Sequence, residues 1–254
     1  MDVRLAFLLS RAEEALPRLQ ALGLGAEVYL DPALLEEDAL FQSLRRRLPG
    51  RVSVHLPFWN LDLRSPDPEV RGPARRRLLF GLDRAAELGP DRAVFHSGIP
   101  HGRTPEEALE RALPLAEALG LVVRRARTLG VRLLLENSHE PCPEVLRPVL
   151  EAHAGELGFC FDAAHARVFS RTPDPGPWLA LGPEHLHLND TDGVYDRHWN
   201  LGRGVLGHRE WLLPFLGRTL VLEVREDPEA SLAFLQALAG EGRTAFDRLL
   251  MEGR

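Results

Sequence analysis

The chain of 254 residues is long enough to bury a large core, and its 44% hydrophobic and 27% charged residues are typical of a globular protein. The net charge of −6 argues against binding nucleic acid through a large basic surface, although it leaves room for a local site. All 31 basic residues are arginine, so a mechanism in which a lysine amine forms a Schiff base is excluded.

The N-terminal stretch MDVRLAFLLS is short and apolar, and it leads directly into an amphipathic segment without a small-residue cleavage site. We interpret it as the first strand rather than as a targeting segment. No apolar run approaches the roughly 20 residues needed to span a bilayer. The two cysteines provide no disulfide framework, which is typical of a reducing compartment. These features predict a cytoplasmic protein without a membrane contact.

Eight short apolar runs follow one another along the chain, separated by amphipathic segments with the period of a helix. Thr104, Pro105 and Glu107 form a capping-box pattern before one of these helices, and Gly130 and Gly240 are predicted to mark helix ends. The predicted strands are residues 3–9, 26–30, 51–57, 92–98, 131–137, 157–163, 184–190 and 219–224.

Eight strands that alternate with helices in about 250 residues predict an α/β fold, a (β/α)8 TIM barrel formed by a single domain over residues 1–254. An open doubly wound sheet is the alternative, but no G-x-G-x-x-G motif follows the first strand. The nearest analogue of that motif, LGLGAE (22–27), precedes a strand and is better suited to ending a helix.

Ionisable side chains lie at the predicted carboxyl ends of six strands and in the loops that follow, where TIM barrels place their active sites. Each is a histidine, aspartate or glutamate, and these residue types are good ligands for zinc or manganese. Nine are too many for one ion and predict a cluster of two or three. In chain order they are His55, His96, Glu136, Asp162, His165, His187, Asp196, His198 and Glu223.

Each candidate alone has a simpler interpretation, because a single strand histidine such as His55 or His96 is more often a hydrogen-bonded core residue than a ligand. Glu136 and Glu223 are different, since each follows an apolar run and a carboxylate at that depth needs a cation or another partner. The coincidence of all nine at strand ends favours a metal cluster. Paired metal ions suit hydrolysis at a phosphoryl centre.

Three of the four asparagines lie within two residues of a candidate ligand. Asn189 is one of them and is a candidate contact to substrate or to a ligand, although asparagine also simply favours turns. His185 alternates with His187, so only one of these two side chains is expected to point into the barrel. The histidines predicted to be structural or solvated are His101, His139, His153, His185 and His208.

Five motifs together resemble those of endonuclease IV, the apurinic/apyrimidinic endonuclease family (family 2) within the xylose isomerase-like barrels. The resemblance covers about residues 51–226, and it implies a metal-dependent enzyme that cleaves the DNA backbone beside an abasic sugar by in-line attack on phosphorus. The motifs are FHSG (95–98), LLLENS (133–138), GFCFDAAHA (158–166), HLHLND (185–190) and DRHWNLGRG (196–204).

Carried to this chain, the resemblance implies a cluster of two or three zinc ions, with manganese or magnesium as the alternatives. Glu136 would bridge two ions and, together with Glu223, is a predicted catalytic carboxylate. The resemblance assigns His55, His96 and Glu136 to the first ion, Glu136, Asp162, His187 and Glu223 to the second, and His165, Asp196 and His198 to the third.

The periphery departs from the family. The first strand ends in AFLLS without the expected histidine, and the acidic segment DPALLEED (31–38) stands where those enzymes carry a loop that contacts DNA. Phe58 and Trp59 could stack on or wedge into a duplex, or line a pocket. Arg197 and Arg203 lie in the ligand loop and are predicted phosphate contacts.

Sugar isomerases and epimerases of the same superfamily resemble the chain too, and they share the four residues assigned to the second ion. In these enzymes one divalent ion binds the substrate and two glutamates move protons. They generally lack the pair formed by Asp196 and His198, together with the histidine of FHSG, which is His96. A non-catalytic binding module is disfavoured, because a closed ligand shell would need fewer ligands. We therefore predict a phosphodiesterase acting on abasic DNA, with a smaller phosphorylated or sugar substrate as the alternative; no protein partner is inferred.

Overall fold

Eight parallel strands form a closed barrel in the order β1 to β8, with β1 paired to both β2 and β8. This confirms the predicted (β/α)8 TIM barrel. The computed structural model describes residues 1–59 and 61–252, so residues 60, 253 and 254 of the expected domain lie outside the described part. The strands are β1 (Asp2–Leu8), β2 (Gly25–Tyr29), β3 (Val52–His55), β4 (Arg92–His96), β5 (Arg132–Glu136), β6 (Leu157–Asp162), β7 (His185–Leu188) and β8 (Thr219–Leu222).

A helical segment follows each strand, as the amphipathic period of the intervening sequence predicts. Within the described residues, no helix combines the length and the apolar character that crossing a bilayer requires. The helices are α1 (Ala12–Leu22), α2 (Asp38–Arg47), α3 (Pro68–Leu88), α4 (Pro105–Leu129), α5 (Arg147–Ala152), α6 (Ala163–Phe169), α7 (Pro175–Leu179), α8 (His208–Trp211) and α9 (Glu229–Glu252).

Side chains along each strand alternate between the interior of the barrel and the helices outside it. Leu133 and Leu135 of β5 belong to the large core that strands and helices share, whereas Leu134 packs with Val94 and Cys160 in a separate small cluster. The inward positions therefore form layers. The uppermost layer, at the carboxyl ends of the strands, carries most of the candidate ligands.

A charged network closes the amino-terminal end of the barrel. Arg4 is only 1% exposed, and its guanidinium donates to Asp91 over 2.6 Å and to Asp2 over 2.8 Å. Burial opposes the charge of Arg4, but these two carboxylates raise its pKa. Thr219 donates to Asp2 over 3.0 Å and so ties β8 to β1. Ion pairs thus close the end of the barrel opposite the candidate ligands.

The helix ends follow the predicted signals with one exception. Thr104 and Glu107 form the predicted capping box at the start of α4, where each side chain accepts a hydrogen bond from the backbone N–H of the other. Gly130 ends α4 with a φ of 71°. Gly240 lies inside α9, so the prediction of a helix end there is wrong. A glycine inside a helix costs only about 1 kcal/mol relative to alanine, which does not stop a long helix.

Candidate metal centre

The structure brings all nine candidate ligands to the carboxyl end of the barrel. His55, His96, Glu136 and Asp162 are the last residues of their strands, because each strand ends on an inward position. His187 lies one residue before the end of β7. The other candidates lie just beyond strands: Glu223 follows β8, His165 is in α6, and Asp196 and His198 are in the loop after β7.

Glu136 lies at the centre of two groups of ligand atoms. Its Oε2 is 3.1 Å from Nε2 of both His55 and His96, and its Oε1 is 3.0 Å from Nδ1 of His187. Within each of two sets the ligand atoms lie within 4.8 Å of one another, a spacing that a single metal ion could span. These sets are His55, His96 and Glu136, and Glu136, Asp162, His187 and Glu223.

A third group, formed by His165, Asp196 and His198, lies beside the first two. Asp196 Oδ2 is 3.0 Å from His198 Nε2 and 3.6 Å from His165 Nε2. His165 Nδ1 is also 3.2 Å from Glu136 Oε1, which joins the third group to the others. The third group is looser than the other two, since its two histidines meet through the aspartate.

Three of the histidines have their second ring nitrogen occupied by a backbone carbonyl. A carbonyl only accepts hydrogen bonds, so Nδ1 carries the proton in the neutral ring and Nε2 is left free toward the cluster. This is the usual arrangement behind a metal-binding histidine. The pairs are His55 with Leu56 O (2.8 Å), His165 with Asn137 O (2.9 Å) and His198 with Glu223 O (2.9 Å).

The electrostatics reflect an excess of buried carboxylates. Burial opposes the charge of His198, but the Asp196 and Glu223 carboxylates raise the pKa of His198 to about 9. Burial raises the pKa of Asp162 to about 6, and the nearby Glu223 and Asp196 charges act in the same direction. Burial lowers the pKa of His96 to about 4. Protons bound to some of these histidines and carboxylates therefore offset the negative charge of the carboxylates, which metal ions would otherwise offset.

The donor set fits a cluster of divalent metal ions. Asp196 Oδ1 and Glu223 Oε2 are buried and accept no hydrogen bond from the described residues. A buried carboxylate oxygen without a donor is costly unless a cation lies beside it. Carboxylates combined with imidazoles are typical ligands of zinc and manganese.

The loop after β7 is organised around the buried Asp190. Its carboxylate accepts a hydrogen bond from the backbone N–H of Gly202 over 3.0 Å, and its backbone pairs with that of Trp199. A Cβ atom at Gly204 would lie 2.1 Å from the carbonyl oxygen of Thr191, so this position requires glycine. The glycines of DRHWNLGRG thus allow the loop to fold back on Asp190.

The predicted substrate contacts after β3 lie beside the cluster. The Phe58 ring is 5.0 Å from the ring of His55 and 4.6 Å from that of His96, between centroids. Trp59 packs on Phe58 and is 68% exposed. Asn189 is 1% exposed and donates to Asp162 Oδ2 over 3.1 Å, so its contact in the structure is with a candidate ligand.

The predicted phosphate contacts already have carboxylate partners. Arg197 donates to Asp192 over 2.8 Å, and Arg203 pairs with Glu226. The Arg203 guanidinium lies 4.7 Å from the centroid of a Trp199 ring. A phosphate that reached either arginine would compete with an existing ion pair.

Glu27 is a functional candidate that the sequence reasoning missed. It is fully buried in β2, with its carboxylate 2.8 Å from His185 Nε2 and 2.7 Å from His187 Nε2. The signal was present, because Glu27 interrupts the apolar strand AEVYL much as Glu136 ends RLLLE. A carboxylate in such a strand needs a partner.

His185 and His187 both point into the barrel, with ring centroids 5.4 Å apart and both rings in contact with Glu27. The expectation that only one of them does so is wrong. Side chains on a strand alternate with a period of two, so residues two apart share a face.

Relatives carry the name that the motifs suggest. "Probable endonuclease 4" of Nitratidesulfovibrio vulgaris DP4 is 28% identical over 235 residues, which are 79% of this chain and 82% of that protein. The uncharacterized protein MJ1311 of Methanocaldococcus jannaschii is 27% identical over 197 residues, which are 72% of this chain and only 65% of that protein. The resemblance to endonuclease IV is thereby confirmed at the level of sequence similarity.

Solved structures share the whole barrel. The TTHB071 protein from Thermus thermophilus, in a structure described as soaking with ZnCl2, is 92% identical, with a TM-score of 0.93 over 95% of this chain and 99% of that one. A D-tagatose 3-epimerase-like protein shares the fold at 21% identity, with a TM-score of 0.80 over 97% of this chain and 100% of that one. Endonuclease IV of T. thermophilus shares it at 23% identity, with a TM-score of 0.63 over 95% of this chain and 100% of that one.

The family model described as "Xylose isomerase-like TIM barrel" matches residues 20–238, which is most of the chain. Its span includes all nine candidate ligands and Glu27. Together with the closed eight-stranded barrel, this match shows that the chain belongs to the xylose isomerase-like TIM barrel family.

Proposed function

We propose that the chain is a metal-dependent phosphodiesterase of the endonuclease IV type, which hydrolyses the DNA backbone at abasic sites with two or three zinc ions. One observation carries this proposal: the group formed by His165, Asp196 and His198 lies against Glu136, beside a quartet that would already suffice for one ion. A sugar isomerase with a single metal has no use for that additional group.

The contacts indicate which residues would hold each ion. Glu136 reaches both of the tight groups and would bridge two ions, while Asp196 would join His165 and His198 around a third. When bound, such ions supply Lewis-acid stabilisation of the negative charge that develops on a phosphoryl group.

Asp162 is held so that it cannot turn away from the cluster. Its Oδ1 accepts the backbone N–H of His165 over 2.8 Å, and its Oδ2 accepts from Asn189 over 3.1 Å. The Asn137 side chain bonds both the N–H and the carbonyl of Asp162, each over 2.8 Å. The asparagines near the site would thus hold a ligand in one orientation, which is what catalysis at a metal cluster requires.

Substrate would approach over Phe58 and Trp59 on one side and over the loop after β7 on the other. The exposed ring of Trp59 offers a surface on which a base or a deoxyribose can stack. Arg197 and Arg203 would also contact the phosphate. To do so, the phosphate must displace Asp192 from Arg197 or Glu226 from Arg203.

The relatives named "Probable endonuclease 4" support a DNA substrate, and the ZnCl2 soak of the 92% identical protein makes zinc the first metal to test. The decisive experiment counts metal ions on the purified protein and measures nicking of duplex DNA with one abasic site, with the intact duplex as the control. We expect two or three zinc ions per chain and cleavage of the abasic duplex only. A single exchangeable manganese or magnesium ion without nicking would contradict the proposal.

A sugar isomerase or epimerase is the second candidate. The observation in its favour is that Glu136, Asp162, His187 and Glu223 form a complete set on their own, with two glutamates that could move protons at adjacent carbons. An assay of ketose epimerisation with added manganese separates the two candidates. Turnover of a sugar without nicking of abasic DNA would favour this second function.

A further inference from the structure

A second polar layer lies inside the barrel, below the candidate metal ligands. It consists of Glu27 on β2, Ser53 on β3 and His185 on β7, all completely buried. Ser53 Oγ donates to Glu27 Oε2 over 2.7 Å, and His185 Nε2 lies 2.8 Å from the same oxygen. Two donors on Oε2 leave Oε1 of this carboxylate for another partner.

That partner is His187, which connects the two layers. Its Nε2 lies 2.7 Å from Glu27 Oε1, while its Nδ1 lies 3.0 Å from Glu136 Oε1 and 3.3 Å from Glu223 Oε2. The ring therefore points one nitrogen down to Glu27 and the other up to the cluster. Nδ1 is thus the nitrogen that faces the candidate ligands Glu136 and Glu223.

The support behind His187 differs in charge from the support behind the other histidines. His55, His165 and His198 are backed by neutral backbone carbonyls, whereas His187 is backed by a carboxylate. A carboxylate 2.7 Å from Nε2 favours a proton on that nitrogen and thus the neutral ring with a free Nδ1. Its negative charge also makes that nitrogen a stronger donor to a metal.

We propose that Glu27 is a positioning residue for His187: it sets the tautomer and the donor strength of the ring, and Ser53 and His185 hold Glu27 in place for this task. The inference rests on the proposed function only in taking His187 as a metal ligand. It applies equally to a cluster that cleaves DNA and to a single ion that binds a sugar.

The test measures the affinity of Zn²⁺ alone for the metal-free wild type, Glu27→Gln and Glu27→Ala. Loss of a partner behind a metal-binding histidine typically weakens metal affinity about 10- to 100-fold. We expect the loss near the upper value for Glu27→Ala and near the lower value for Glu27→Gln. Glutamine keeps an oxygen beside His187 Nε2, and its amide group can donate to Nε2 of His185. His185 can then carry its own proton on Nδ1, which makes no hydrogen bond within the described part of the chain.

A spectroscopic readout separates positioning from simple loss of structure. In zinc-loaded protein the His187 proton stays on Nε2 in every variant, because zinc would occupy Nδ1. Long-range ¹H–¹⁵N correlation spectra of histidine-labelled, zinc-loaded protein should instead report the environment of that proton: a carboxylate beside Nε2 moves the ¹H resonance downfield, so we expect a large upfield change in Glu27→Ala and a smaller one in Glu27→Gln. Should Glu27→Ala fail to fold, Glu27→Gln, which keeps the side-chain volume, carries the test.

Arg4→Met is the matched control, because it removes a buried charge from the opposite end of the same barrel. It should lower the stability of the fold and leave the zinc affinity of the folded protein unchanged. Wild-type zinc affinity in either folded Glu27 variant would overturn the inference. The absence of nicking activity would instead count against the proposed function, without touching the role of Glu27.

Discussion

Asp196 and His198 meet edge to edge, with Asp196 Oδ2 3.0 Å from His198 Nε2, although the two residues are separated by a single residue in a loop. The contact depends on an unusual backbone. Among the described residues that are not glycine, His198 is the one with a positive φ, at 52°. This left-handed conformation is uncommon for histidine and is often found at functional sites. It turns the ring between Asp196 and the carbonyl of Glu223.

Removing this pair should separate the two candidate chemistries. In Asp196→Ala combined with His198→Ala, we expect the loss of one bound zinc ion per chain and of most phosphodiesterase activity, because the third group then keeps only His165. Metal content by mass spectrometry and nicking of an abasic duplex measure the two effects. Asp227→Asn, which changes an exposed carboxylate paired with Arg18, serves as the control. Unchanged metal content in the double variant would refute the assignment of this pair.

Zinc affinity should increase with pH. The pKa of His198 in the metal-free fold is about 9, above its ordinary 6.5. The protonated ring thus stabilises the metal-free fold fully below about pH 6.5, and this contribution disappears as the pH rises through 9. Zinc must displace that proton, so apparent affinity should rise about tenfold per pH unit for each proton released. Zinc titrations between pH 6.5 and 9 give the logarithm of the apparent affinity as a function of pH. The slope of this plot should be lower by about one proton for His198→Ala than for the wild type; equal slopes would contradict this prediction.

Gly204→Ala should disturb the cluster without removing a ligand. The new Cβ would lie 2.1 Å from the carbonyl oxygen of Thr191 and 2.5 Å from Asp190 Oδ1, so the loop must move. We expect a drop of one zinc ion per chain and a loss of stability of roughly 1–3 kcal/mol. Gly217→Ala is the control, since a Cβ there would meet no described atom within 4 Å apart from those of its own chain neighbours. Equal metal content and stability in both variants would show that the packing of Gly204 does not matter.

Trp59→Ala should weaken substrate binding more than it slows the reaction. Stacking of one base on an aromatic ring is worth about 1–3 kcal/mol, and Trp59 is 68% exposed beside the cluster. We expect KM for the abasic duplex to rise about tenfold or more with little change in kcat. Leu113→Ala, an exposed apolar residue on α4, provides the control. A fall in kcat at constant KM would assign a different role to Trp59.

Arg4→Ala should destabilise the barrel from its closed end. The variant removes a buried guanidinium that donates to two carboxylates. We expect the free energy of unfolding, measured in urea, to fall by roughly 1–3 kcal/mol. Arg127→Ala breaks an ion pair with Glu156 that is largely exposed, so its effect should stay below about 1 kcal/mol. Similar losses in the two variants would mean that the network around Arg4 contributes little.

The sequence predicted the fold and the residues that gather at the carboxyl end, for one physical reason. Six of the predicted strands carry an ionisable residue at or near the end of an apolar run, as in RLLL before Glu136, and closure of the barrel then brings such ends together. That reasoning counts strand ends and does not measure distances. It therefore could not show that Glu136 Oε2 lies equally far from His55 and His96.

The layer below the ligands was harder to predict. Glu27 stands in the middle of a strand, where a charged residue looks like an irregularity of an apolar run, and its partner His185 is distant in sequence. Recognising the pair requires the register of β2 and β7 across the barrel. The loop conformation at His198 was also beyond prediction, because a positive φ at a histidine has no signature in the residue type.

The candidate ligands are supplied by six of the eight strands and the loops that follow them, from β3 to β8, so they meet only when the barrel is closed. An unfolded chain cannot offer this set, and metal ions that bind only the folded chain stabilise it by mass action. At free zinc 100 times above the dissociation constant, each site would add about 2.7 kcal/mol. A chelator should therefore lower the melting temperature of zinc-loaded protein, so bound ions would stabilise the closed barrel in addition to any role in a reaction.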